Sequence, residues 1–78
     1  MPSKLPQVTG RDAIKAFEAA GYYEDRTCGS HHILKHPEKA YLLSIPVHDG
    51  KTLGHGLLRS QIWIAEMTVE QFMEFLRT

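Results

Sequence analysis

Two tight turn signals, Cys28-Gly29-Ser30 and Pro37-Glu38-Lys39, cut the stretch between residues 22 and 46 into three short runs. No other feature of the chain narrows the fold as much. Strands joined by two or three residues can pair only antiparallel, because a parallel pair needs a crossover of roughly a dozen residues or more. The runs are residues 22–27, 31–36 and 40–45, and Pro46 limits the last of them. The sequence therefore predicts a three-stranded antiparallel meander.

Helical periodicity flanks this meander. Thr9 is a good N-cap, and Asp12, three positions on, resembles a capping box with the shorter acid. Ala13, Ile14, Phe17 and Ala20 recur at helical spacing, and Gly21 stands where a glycine ends a helix, so a helix is expected over residues 10–20. A second helix begins near His55 or Gly56. Its stripe is Leu57, Leu58, Ile62 and Ala65, widened by Trp63 and Ile64. Thr68 and Gln71 form a capping box for a last helix, with Met67 and Phe72 as a hydrophobic staple. Val69, Phe72, Met73 and Leu76 are its inward positions. The first eight residues read as a lead-in. The expected architecture is one α+β domain over residues 1–78, in the order α-β-β-β-α-α, with all helices on one face of the sheet.

Composition excludes several classes. With 78 residues the chain has a modest core. No apolar run reaches the roughly 18 residues of a membrane span, and the first residues lack a secretory leader. The single cysteine, Cys28, cannot form an internal disulfide, so the cytoplasm is the expected compartment. Nine basic side chains face nine acidic ones, which argues against a strong non-specific grip on nucleic acid. The distribution is uneven. Residues 31–59 carry Lys35, Lys39, Lys51 and Arg59 against Glu38 and Asp49, whereas residues 61–78 carry Glu66, Glu70 and Glu74 against Arg77.

All five histidines, His31, His32, His36, His48 and His55, fall in the electropositive part. Imidazole is the side chain whose ordinary pKa suits acid–base work near neutrality. On a strand, His31 and Ile33 share one face while His32, Leu34 and His36 share the other, so the adjacent histidines do not act together. His32 and His36 lie about 13 Å apart on a strand, too far for one metal ion. By spacing alone, a solvated polar hairpin accounts for these residues better than a site does. Cys28 beside Gly29 is a nucleophile or a small filler residue. Gly54-His55-Gly56-Leu57 is too short for a phosphate loop, although the amides of Gly56 and Leu57 at a helix start can hold a phosphate. Arg26, Lys35, Lys51 and Arg59 are candidate phosphate contacts or a solvated face. Trp63 and Phe72 read as core rather than as a base-stacking platform.

Five segments taken together resemble the HicA toxin family. They are the first helix with Gly21-Tyr22, Arg26-Thr27-Cys28-Gly29-Ser30-His31-His32, Pro46-Val47-His48, Gly56-Leu57-Leu58-Arg59, and Met67-Thr68-Val69-Glu70-Gln71-Phe72. The resemblance runs from about Thr9 to Leu76. It implies a minimal double-stranded-RNA-binding-domain-like fold and a toxin that cleaves mRNA without a metal or small-molecule cofactor. It also implies a HicB-like antitoxin that masks the active surface. The family's catalytic histidine falls on His31 and its motif glycine on Gly29. Gly29, Ser30, Arg26, Lys35, Lys51 and Arg59 are then the expected RNA contacts, with His48, Lys35 and Lys51 as possible second contributors to catalysis. Two departures stand out. The chain is neutral where RNA-binding members are basic, and Ala65-Glu66 replaces the Ala-Gly that usually ends the second helix.

Overall fold

The computed structural model describes residues 5–78. Its elements are α1 (Gly10–Ala19), β1 (Tyr23–Cys28), β2 (His31–His36), β3 (Lys39–Pro46), α2 (His55–Ile64) and α3 (Val69–Leu76). The strands form one antiparallel sheet in the order β1-β2-β3, as the two turn signals predict. Strand ends shift by one residue from the expected limits: β3 takes in both Lys39 and Pro46, which pair with His36 and His31.

One face of the sheet is covered. Leu34, Leu43 and Ile45 are fully buried there, in one cluster with Ala13, Phe17, Leu58, Ile62, Ala65 and Phe72. Phe17 and Phe72 meet with ring centroids 5.1 Å apart, which joins α1 to α3 at the centre of this core. Leu5 and Val8 are also buried. The second half of the expected lead-in is therefore part of the fold: the Leu53 amide donates to the Val8 carbonyl at 2.7 Å, and Thr9 bridges Thr52. Residues 1–4 of that lead-in lie outside the described residues.

The helices expose three departures from the sequence expectation. Trp63 is 80% exposed and Leu57 38% exposed, so neither belongs to the buried stripe of α2. Leu58, Ile62 and Ala65 define the inward direction, and at 3.6 residues per turn Trp63 points about 140° away from Leu58. A fourth inward position is held by Gln61, whose Oε1 accepts the Ser44 amide at 3.0 Å. In α3, Phe75 packs on the core together with Val69 and Leu76, while Met73 is only half-buried beside it.

The caps follow the sequence closely. Thr9 accepts the Asp12 amide, although the reciprocal half of a box does not form. Thr68 and Gln71 make both halves. α1 and α2 end in the same way. The Gly21 amide donates to Glu18 and the Tyr22 amide to Phe17. The Glu66 amide donates to Trp63 and the Met67 amide to Ile62. Both are Schellman endings, which need a left-handed residue after the cap. Gly21 takes that conformation at φ 108°, and Glu66 takes it at φ 61°. The glycine is unstrained there, whereas a side chain in this region costs roughly 1–2 kcal/mol.

Tyr22, immediately before β1, carries a second local cost. Its ring is buried edge-on to Phe17 and His36, and its hydroxyl has no hydrogen-bond partner among the described residues. Burial, with a smaller contribution from the Glu66 carboxylate, pushes its pKa up. Two outcomes follow for chemical denaturation. Tyr22→Phe removes the orphan hydroxyl and leaves stability unchanged or raises it by about 1 kcal/mol. Glu66→Gly relieves the left-handed backbone and loses only an exposed ion pair with Lys39, for a net gain of about 0.5–1 kcal/mol.

Candidate nucleic-acid interface around His31

The pairing register sorts the side chains of the sheet between its two faces. Thr27 and Glu24 of β1 stand opposite His32 and Leu34, on the helix-covered face. Cys28, Arg26 and Tyr23 stand opposite His31, Ile33 and Lys35, and Pro46 and Ser44 continue those rows on β3. This second set forms the face that no helix covers. Adjacent histidines thus part company as strand alternation requires.

Their surroundings differ accordingly. The His32 ring lies 3.0 Å from Glu24 Oε2, which also accepts the Thr27 hydroxyl at 3.1 Å. His36 accepts the Glu38 amide and packs on Tyr22. His31 is exposed at the first position of β2, and its ring has no hydrogen-bond partner among the described residues. The turn before it depends on Gly29, whose φ is 60° and whose missing Cβ would meet nothing within 4 Å. Glycine is favoured there by the backbone, and the space above it is open to a ligand. Ser30 anchors the same turn, its carbonyl accepting the Val47 amide at 2.8 Å.

The cations divide into two groups. Arg26 and Lys35 share the open face with His31, Arg26 being one register step away, about 7 Å along the strand. Lys51 lies beyond the other side of His31. A cleft of about 160 Å³ is lined there by Pro46, His48, Lys51, Thr52, Leu53, Gly54 and Leu57. Pro46, the register partner of His31, forms one wall of it. The first turn of α2 opens on the same cleft with Gly54 as N-cap, no side-chain cap and no acidic residue. Its leading amides therefore carry the positive end of a helix dipole without internal compensation. Arg59 is exposed on α2 and does not line the cleft.

Asp25 is the residue that the sequence reading missed. The register of β1 slips between Glu24 and Arg26, so Asp25 is the extra residue of a bulge. From there its carboxylate reaches Arg26 at 2.6 Å and Lys35 at 3.8 Å. Asp25, with Cys28 second, raises the pKa of the Arg26 guanidinium above its usual value. One carboxylate thus engages both cations of the open face. Bulges place side chains where strand alternation would not, so spacing alone gave no signal for this one.

A family model described as "HicA toxin of bacterial toxin-antitoxin" matches residues 10–66. The chain belongs to the HicA toxin family. The match takes in the whole sheet, the cleft beside Pro46 and all of α2, and ends on Glu66. A search of curated proteins finds no match. Among the described residues of this HicA chain, no helix is long and apolar enough to cross a membrane. No group of three or more His, Cys, Asp or Glu side chains among them is placed to hold a metal ion.

Asp25→Asn tests the electrostatic part of this description. With its cations released, the variant binds single-stranded RNA severalfold tighter at low salt. Its log–log salt dependence steepens by about 0.7 for each phosphate newly contacted. Fluorescence anisotropy across a salt series measures both.

Proposed function

We propose that this HicA toxin is an endoribonuclease that cleaves mRNA at the open sheet face, with His31 as general acid–base group. The observation that carries this reading is the placement of one exposed imidazole at a strand start. It stands beside a left-handed glycine with open space above it, between the cations of the sheet face and the cleft at α2.

The substrate supplies its own nucleophile. The ribose 2′-oxygen attacks the adjacent phosphorus, the P–O5′ bond breaks, and the products are a 2′,3′-cyclic phosphate and a 5′-hydroxyl. One proton leaves the 2′-hydroxyl and one arrives on O5′. A neutral His31 takes the first, or a protonated His31 supplies the second; either role contributes on the order of 10²–10⁴-fold. Because the attacking group is intramolecular, this route uses no metal-generated hydroxide and no cofactor. Arg26, Lys35 and Lys51, with the leading amides of α2, hold the phosphates, and Gly29 and Ser30 leave room for the chain to pass. Arg59 contributes at a distance, as a backbone contact on α2. The reading places the toxin in the cytoplasm with its mRNA and gives it a HicB-like antitoxin that covers this face.

Cleavage of a labelled RNA in the presence of excess chelator tests the proposal. His31→Ala is expected to lower the rate by about 10²–10⁴-fold. Its unfolding free energy should stay within about 0.5 kcal/mol, because the residue is exposed. Expression of the wild-type chain arrests growth, and the same substitution relieves the arrest. Unimpaired cleavage by His31→Ala removes His31 from the mechanism, and RNA binding with no cleavage by either protein leaves a binding module in its place.

A further inference from the structure

The end of the molecule opposite His31 carries a second surface. Tyr41 lies five residues before Pro46 on β3, about 16 Å along the strand from the row that holds His31. It is 75% exposed and shares a groove of about 580 Å³ with Trp63, Ile64, Glu66, Met67 and Thr68. Two large aromatic rings stand open here, and Glu66 is the one charged residue lining the groove. The same Glu66 occupies the left-handed position that α1 gives to Gly21. The chain therefore keeps a backbone strain that a glycine would remove, and in return holds a carboxylate beside two exposed rings.

The surroundings of that carboxylate are built. The Lys39 ammonium donates to the Ala65 carbonyl at 2.7 Å and stands 3.6 Å from Glu66 Oε1. This steadies the α2 terminus, and the 3.6 Å separation is too long for a hydrogen bond, so the carboxylate keeps its acceptor capacity. Glu70 adds a second negative charge at the start of α3, two residues past Thr68.

We infer that this groove binds a segment of a partner protein that presents an arginine or lysine next to apolar side chains. An indole and a phenol ring attract a cation to their faces, and a neighbouring carboxylate completes the site with a charge-assisted hydrogen bond. Met67 and Ile64 supply an adaptable apolar floor for the flanking residues. RNA is disfavoured because Glu66 and Glu70 repel phosphate. A second copy of this chain is the competing occupant, and dependence of the Trp63 signal on protein concentration alone identifies it. The surface uses none of the residues assigned to RNA cleavage, so the two readings stand or fall separately.

Trp63 is the only tryptophan of the chain, so its fluorescence reports on this groove directly. A random peptide library displayed on phage is selected against the wild-type protein, and the enriched peptides are then titrated while Trp63 emission is followed. The expected peptides carry Arg or Lys beside Leu, Met or an aromatic residue and shift the emission to shorter wavelength. Binding falls about tenfold or more in Glu66→Gln and in Glu66→Gly, the loss of one charge-assisted contact. Trp63→Ala likewise removes binding, read by anisotropy of a labelled peptide. Glu66→Gly separates recognition from folding, because it raises the thermal midpoint while lowering affinity. RNA cleavage is unchanged in all three variants. The inference is overturned by a selection that yields no peptide, or only peptides without a basic residue, or by binding indifferent to Glu66→Gln or Trp63→Ala. It is also overturned if Trp63 emission responds instead to protein concentration alone or to an RNA oligonucleotide.

Discussion

Burial of Leu34, Leu43 and Ile45 beneath Phe17, Leu58 and Phe72 decides which face of the sheet the protein hides. With only three strands and three short helices, there is enough apolar surface to cover one face. The other face is left open to solvent. Strand alternation then assigns each side chain without further choice. His32 falls on the hidden side, where Glu24 holds its ring, and His31 falls on the open side. A slip of one residue would exchange them, and the same slip would drive Leu34 into solvent. The register that stabilises the core and the register that exposes the imidazole are therefore one constraint.

Much of this was legible because it depends on local chemistry. The two turn signals, the Thr68–Gln71 box and the glycine after α1 each specify backbone geometry within a few residues, and each has the expected form. The separation of His31 from His32 needed only a strand period of two. What could not be read depends on direction or on distant partners. Trp63 sits in an apolar stretch of α2, and a broad stripe includes it until Leu58, Ile62 and Ala65 fix the inward axis. Gln61 lies nearer that axis because a strand amide, that of Ser44, needs an acceptor there. Phe75 displaces Met73 for the same angular reason. Asp25 was hidden by a bulge, which breaks the alternation that made the rest of β1 readable.

Net charge averages over an uneven distribution. The formal charge is zero, yet the chain separates its charges along the sheet. Lys51, His48 and the uncapped α2 terminus gather at the cleft beside Pro46, while Glu66, paired with Lys39, lines the groove that holds Trp63. Screening over roughly 8–10 Å at physiological salt makes such ends nearly independent of each other. A phosphate near His31 responds to the local cations and to Asp25, and hardly at all to the total. Neutral composition therefore limits non-specific adhesion to nucleic acid without forbidding a site.

A fold this small cannot enclose a large active site, and the proposed RNA cleavage, an intramolecular transesterification, does not demand one. The nucleophile arrives already attached to the substrate, so the catalytic parts reduce to a proton-transfer group and a means of holding phosphate in line. Under the proposed reading, one imidazole supplies the first. The second comes from backbone that must exist anyway: the first amides of α2 are unsatisfied because helix geometry leaves them so, and Gly54 provides no side chain to cover them. The low cost of this solution explains why the sheet face needs few committed residues. Within that proposal it also gives Asp25 its weight, because one carboxylate engages both Arg26 and Lys35.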